Sequence, residues 1–188
     1  MKTLNDYLAQ FVSFNAKELE VFNHPFHSKS LIKGAYLAKE GEIARKLAFI
    51  ESGVMRAFFR NTAGKEYNKT FFTEGNFVGA YSSLITGAEN LINIQCLTSC
   101  EVLMADYSQI TNRYAEFASF EKFGRKIAEY KFILKEKREI ELVTLSASER
   151  YDIFKKEHPG LENKIPQYHI ASYLGVSATQ LSRIRAKY

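Results

Sequence analysis

The feature that most restricts what this chain can fold into is its last stretch, which runs QYHIASYLGVSATQLSRIRAKY from Gln167 to Tyr188. Two helices that cross over a short turn need a small residue where they touch, a turn residue able to take positive φ, and apolar side chains on the facing sides. With Gln167 as the first position, Ala171 is the small residue and Gly175 the turn residue, while Ile170, Leu174, Val176, Leu181 and Ile184 are the inward positions. The pattern predicts a helix-turn-helix whose second helix begins near Ser177. A helical hairpin with a purely structural purpose would pack the same way. Against it stands the charge: from Lys164 onward the chain carries Lys164, Arg183, Arg185 and Lys187 and no Asp or Glu, which suits a polyphosphate backbone.

In such a unit the second helix enters the major groove of duplex DNA and offers the side chains of its first turns to base edges. Here Ala178, Thr179, Ser182 and Arg183 face outward, with Gln180 on the flank. Arg183 is the candidate base reader, because a guanidinium can bond guanine O6 and N7 together; a phosphate contact is its other role. Ser177 and Gln180 have the spacing of a capping box, so the Gln180 amide either reads a base or folds back on Ser177. Ser177 is the expected N-cap, with a hydroxyl able to donate to phosphate. Gln167, Arg185 and Lys187 are the remaining backbone contacts, and Thr179, Gln180 and Arg183 supply sequence preference.

Upstream the texture is different. Leu4, Leu8, Phe11, Leu19 and Phe22 have helical spacing with a break at Phe14-Asn15, which predicts two short helices. From about Ser30 to Asp106 short apolar stretches alternate with Gly or Asn turns at roughly ten-residue intervals, the pattern of an antiparallel barrel or sandwich of jelly-roll type. Asn61 to Lys65 reads as a hairpin loop with Gly64 at positive φ, and Glu40-Gly41 and Ser52-Gly53 as further turns. Gly79 to Thr86 breaks the strand pattern and reads as a short helix. After Tyr107, Ile110, Tyr114, Phe117, Phe120, Phe123, Ile127, Tyr130 and Leu134 recur every three or four residues, predicting one long amphipathic helix. The spacing of Phe120, Phe123, Ile127, Tyr130 and Leu134 resembles a coiled-coil seam and points to a homodimer; packing against the chain's own barrel is the alternative. Ser146 and Glu149 form a capping box that opens the next helix, which stops before His158-Pro159-Gly160. The expected class is α+β, with a barrel and its lead-in helices over 1–107, a dimerisation helix over 108–144 and a helix-turn-helix domain over 145–188.

Several functions are excluded by what is missing. The chain of 188 residues has a formal net charge of +5 and 46% hydrophobic residues, enough to bury a core. It has no stretch of apolar residues long enough to span a membrane and no secretory leader pattern in MKTLNDYLAQF, so a cytoplasmic protein is expected. Cys96 and Cys100 are the two cysteines, too few for a disulfide scaffold and without partners for a tetrahedral metal site. Packing is their expected role, and a redox role stays open. The histidines His24, His27, His158 and His169 are scattered, and no nucleophile elbow, phosphate loop or metalloprotease motif occurs. Neither an enzyme nor a resident cofactor or metal is expected. A small-molecule sensor, or a module whose terminal helices dock a protein, is the competing class.

A barrel, a long helix and a terminal helix-turn-helix in that order resemble the Crp/Fnr family of bacterial transcription regulators over about Leu4 to Tyr188. YLAKEGE, LAFIESGVMRAFFRN, GKEY and FFTEGNFVGA are similar to successive strands of that family's cyclic-nucleotide-binding barrel, and IASYLGVSATQLSRIR to its DNA-binding helices. The resemblance implies a homodimer on a two-fold operator, joined through the helix around Phe120 to Leu134. It also marks a departure. In members that bind cyclic AMP the phosphate-binding cassette begins Gly-Glu and ends Arg-Ser; here Gly79 is followed by Ala80, and Asn90 and Leu91 stand where Arg and Ser would be. Burying a phosphate without a cation costs several kcal/mol, so gating by cyclic AMP is not expected. An apolar remnant near Ala80, Leu84 and Leu91 either admits another small molecule or is filled. The cysteine cluster of the family's iron-sulfur sensors is absent.

Overall fold

The structure, a computed structural model, describes residues 3–186. The chain divides into two compact units, Met1–Ala57 with Phe71–Tyr130, and Phe58–Thr70 with Lys131–Tyr188. The division passes through two strands and the long helix instead of following the barrel, helix and terminal domain in turn.

The first unit opens with α1 (Leu4–Ala9) and α2 (Ala16–Asn23). Each starts at a reciprocal capping box, Thr3 with Asp6 and Asn15 with Glu18, which satisfies orphan N–H groups and fixes the break at Phe14-Asn15. Eight strands follow: β1 (His27–Leu31), β2 (Tyr36–Ala38), β3 (Lys46–Ser52), β4 (Met55–Arg60), β5 (Glu66–Phe72), β6 (Phe77–Val78), β7 (Asn93–Cys96) and β8 (Cys100–Asp106). They form two four-stranded sheets, ordered β1-β8-β3-β6 and β2-β7-β4-β5. Of the barrel or sandwich expected, the structure has two separate sheets that do not close into a barrel. Short strands at the edges explain this: β6 has two residues and β2 three, too few to carry a ladder onward.

Alternation along the strands sorts the apolar residues into two cores. Ala48, Ile50, Met55, Ala57, Val78, Ile94, Val102 and Met104 are buried in one cluster, with Ala48 opposite Met104 and Ile50 opposite Val102 on β3 and β8. Phe49, on the other face of β3, joins Phe77, Leu4, Tyr7, Leu8, Phe22, Phe120 and Phe123 in an aromatic second core. The β3–β6–β8 sheet is thus covered on both sides, which is why β3 has the apolar run LAFI instead of strict alternation.

The short helix expected between strands is α3 (Tyr81–Thr86), closed by Gly87 at φ 69°. The helix expected from Tyr107 onward is corrected to two, α4 (Tyr107–Thr111) and α5 (Ala118–Thr144). Asn112 ends α4, and Tyr114 folds back on α5 at Gly124, where a Cβ would lie 2.5 Å from the tyrosine hydroxyl. The apolar spacing continues through this bend, so periodicity alone does not show it.

The second unit contains the tip of the β4–β5 hairpin, the C-terminal part of α5, α6 (Ala147–Glu157), a 3-10 turn at Leu161–Asn163, α7 (Gln167–Leu174) and α8 (Ala178–Arg185). The hairpin loop is as expected: Gly64 has φ 78°, and Asn61 Oδ1 accepts from Lys65 N at 2.9 Å. Ser146 and Glu149 cap α6 reciprocally.

Candidate nucleic-acid interface

α7 and α8 are in contact and are joined by Gly175 to Ser177. Gly175 takes φ 70° and Val176 N donates back to Ala171 O at 3.0 Å, a closure that turns the chain out of α7 and satisfies its last carbonyls. Ile170, Ala171, Leu174, Leu181 and Ile184 are buried and Val176 is half-buried, so the inward positions are those the spacing predicts. Ser177, Ala178, Thr179, Gln180, Ser182, Arg183 and Arg185 are all exposed.

Hydrogen bonds narrow the roles of several of these side chains. Ser177 caps α8: its Oγ accepts from Gln180 N at 3.1 Å, and Gln180 Oε1 accepts from Ser177 N at 2.9 Å. Of the two roles open to Gln180, the capping box is the one formed, and it occupies only the carbonyl end of the amide. Gln167 turns inward, with Nε2 donating to Glu162 O at 2.8 Å and Oε1 buried; its side chain is not free for a phosphate. Arg185 bonds the Tyr151 hydroxyl, which itself donates to Glu162 Oε2 at 2.5 Å. Burial, then the Glu162 bond, push that hydroxyl up to about 12, with Arg185 opposing. Thr179, Ser182 and Arg183 are exposed on α8 without such ties among the described residues, and Lys187 lies outside them.

The pair is mounted by residues that the sequence reading missed. Arg138 on α5 donates to Tyr173 O and stacks on the Tyr173 ring with its guanidinium 4.1 Å from the centroid. Arg150 on α6 donates to Leu174 O at 3.1 Å and to Leu145 O at 2.5 Å. Two cations thus bond the carbonyl end of α7, where the helix dipole favours them. On the opposite side Ser172 meets β5, the edge strand of its sheet. Asn68 N donates to Ser172 Oγ and Ser172 Oγ to Glu66 O, both at 2.9 Å, while Asn68 Nδ2 donates to His169 O at 3.0 Å. One hydroxyl therefore satisfies a donor and an acceptor that an edge strand leaves unpaired.

The residues expected to line an effector pocket do not come together as one. Ala80 is packed in the first core. A Cβ on Gly79 would lie 3.0 Å from Leu84 and 3.2 Å from Leu47, so that space is filled. Asn90 is buried and ties the loops: its amide donates to Ile92 O, its N to Glu42 O at 2.9 Å, and its O accepts from Gly41 N at 2.8 Å. Leu91 is 76% exposed, which corrects its place in an apolar remnant. The side chain next to a buried Asn in an extended turn faces the other way, toward water.

The expected dimer seam is corrected at Phe120, Phe123 and Ile127, which the chain covers itself. Phe120 and Phe123 lie in the aromatic core of their own unit, Ile127 packs against it, and Tyr130 meets Phe11 edge-on at 5.7 Å. Leu134 follows on the same face. Tyr130, Leu134 and Leu142 are exposed on α5 as well, but its most exposed apolar residues are Phe132, Ile133, Ile140 and Val143, a stripe on the helix side away from Phe120.

Residues 28–116 match the model of the cyclic nucleotide-binding domain. No curated protein matches the chain. Among solved structures, FixK2 from Bradyrhizobium japonicum is similar with a TM-score of 0.76 at 17% identity, over 86% of this chain and 83% of that one. The c-di-GMP responsive global regulator CLP of Xanthomonas campestris is similar with a TM-score of 0.68 at 17% identity, over 92% and 91%. The catabolite activator protein of Thermus thermophilus gives 0.60 at 19%, over 96% and 85%. Among the described residues no helix is long and apolar enough to cross a membrane. Over residues 28–116 the chain is similar to the cyclic nucleotide-binding domain, and it shares its fold with these solved proteins.

Proposed function

We propose that the chain is a sequence-specific DNA-binding transcription regulator that works in the cytoplasm as a homodimer and is not gated by cyclic AMP. The observation that carries this reading is the outer face of α8. Thr179, Ser182 and Arg183 are exposed on a helix seated over α7 by Leu181 and Ile184, in a terminal segment without a single acid. The likeness to solved regulators supports it. By role we keep three regions: an effector domain over 1–107, a connecting and dimerising region over 108–144, and a helix-turn-helix over 145–188. Arg183 reads a base. Thr179 and the Gln180 amide nitrogen add preference, and Ser177, Ser182, Arg185 and Lys187 lie along the phosphates.

Selection of bound duplexes from a random pool tests this. A two-fold symmetric sequence should emerge, with affinity falling steeply and linearly in log–log plots against salt. Arg183→Ala should weaken binding to the selected site by about tenfold or more and relax one position of each half-site. A module that docks a protein would select no sequence and show no such slope.

The cassette from Gly79 to Leu91 contains Glu89 as its one charged residue, and Asn90 is occupied by backbone bonds, so the cassette itself offers the cyclic phosphate no cation. In a thermal-shift assay cyclic AMP should leave the melting temperature of the full chain unchanged. A rise of several degrees would contradict the proposal. Control by another small molecule, as the c-di-GMP response named for CLP illustrates in that protein, stays compatible with this fold.

A further inference from the structure

The DNA-binding reading uses neither cysteine, yet their placement is specific. Cys96 ends β7 and Cys100 opens β8, strands of different sheets, and Leu97 to Ser99 carry the chain across between them. The two do not share a strand, but both side chains enter the core between the sheets and each is 1% exposed. The two thiols are near enough to perturb each other's ionisation. Cys100 Sγ also lies 3.4 Å from Thr98 O and 3.6 Å from Val54 O. Its cover is thin. A Cβ on Gly53 would stand 2.6 Å from this sulfur and 2.4 Å from Ser99 O, so the backbone of one tight turn, possible only with glycine at φ 98°, forms the roof. Ser52 and Ser99, on either side of it, are exposed.

We propose that Cys96 and Cys100 are a modification site, a dithiol that hydrogen peroxide oxidises to an intrachain disulfide joining the two sheets. The Cys100 thiolate attacks the peroxide oxygen and the O–O bond breaks. The departing hydroxide takes the thiol proton to give water, leaving a sulfenic acid on Cys100. The Cys96 sulfur then attacks the Cys100 sulfur and displaces hydroxide, which leaves as a second water with the Cys96 proton. Two thiols and one peroxide become one disulfide and two waters, the two electrons passing to the peroxide.

The order of attack follows from the environment. Pairing with the Cys96 thiol holds Cys100 below the ordinary thiol range, against the opposing effects of burial and the Glu101 charge. The same pairing and burial push Cys96 far up. The thiolate is the nucleophile, so oxidation should quicken as pH rises and the thiolate fraction of Cys100 grows.

The test uses the reduced full-length protein treated with hydrogen peroxide, quenched with N-ethylmaleimide in denaturant and weighed intact. The expected product is a single chain with both cysteines closed to the reagent and reopened by dithiothreitol. Because the sequence holds two cysteines, an intrachain disulfide can only be this pair. In Cys96→Ser the sulfenic acid on Cys100 should be trapped by dimedone, whereas in Cys100→Ser the Cys96 thiol should stay alkylatable. The proposal is overturned if both thiols alkylate after peroxide in the folded protein while a urea-unfolded sample oxidises, if the product is a cross-link between chains, or if dimedone marks Cys96. The wild-type measurement decides the matter even where a serine variant folds poorly.

Discussion

Phe120→Ala is expected to lower the stability of the fold by about 3–5 kcal/mol and to leave the oligomeric state of the folded fraction unchanged. Phe120 is 1% exposed and its ring lies 5.1 Å from Phe22, 4.9 Å from Phe117 and 5.8 Å from Phe14. Removing it leaves a void bordered by three other rings on separate segments, α2, the linker before α5 and the loop at Phe14, none of which can collapse without disturbing its own contacts. A loss of this size is a large share of the roughly 5–15 kcal/mol that holds a domain folded. Urea unfolding followed by circular dichroism measures it, and light scattering below the transition reports the assembly. A variant of native stability that dissociates would return Phe120 to the seam that its spacing suggested.

That spacing shows why some features could be read from the sequence and others could not. Local chemistry was legible. The capping boxes at Ser146 and Ser177, the positive φ at Gly64 and Gly175, and the inward set of α7 and α8 depend on residues a few positions apart, and each such rule acts within a single turn. The direction of an amphipathic face was legible too, but not the surface it meets. Phe120, Phe123 and Ile127 mark one side of α5 correctly, and only tertiary structure decides that α1 and α2 cover it rather than a second chain. The bend before α5 was hidden because Tyr114 and Phe117 keep the helical period while the backbone turns. Ser172 and Asn68 meet across 104 positions and His169 and Asn68 across 101, and nothing in either segment signals the other. The same holds for Leu91, whose apolar type suggested a pocket while its neighbour Asn90 was held inward by three backbone bonds.

The corrected face of α5 carries the second large effect. Ile133→Glu combined with Ile140→Glu should convert the proposed homodimer to monomer at micromolar concentration, with affinity for a two-fold operator falling by about a hundredfold or more as bivalent engagement is lost. Ile133, Ile140 and Val143 recur at seven and three positions, so they line one side of the helix, and Phe132 flanks them. They are 60%, 58% and 87% exposed, and Phe132 is 65% exposed. Four large apolar side chains open to water on one stripe are what a coiled-coil partner would cover. Across a two-fold axis each residue faces its own copy or a near neighbour of it, so every Glu meets a like charge in a site that has lost its apolar contact. Because the residues are exposed within one chain, the urea midpoint extrapolated to low protein concentration should stay close to that of the unmodified protein. Phe120→Ala and the double substitution therefore move in opposite directions: one costs folding and spares assembly, the other spares folding and costs assembly. If the double variant stays dimeric, the stripe is not the interface, and the two-fold operator expected from it would need a different surface to bring two copies of α8 into register.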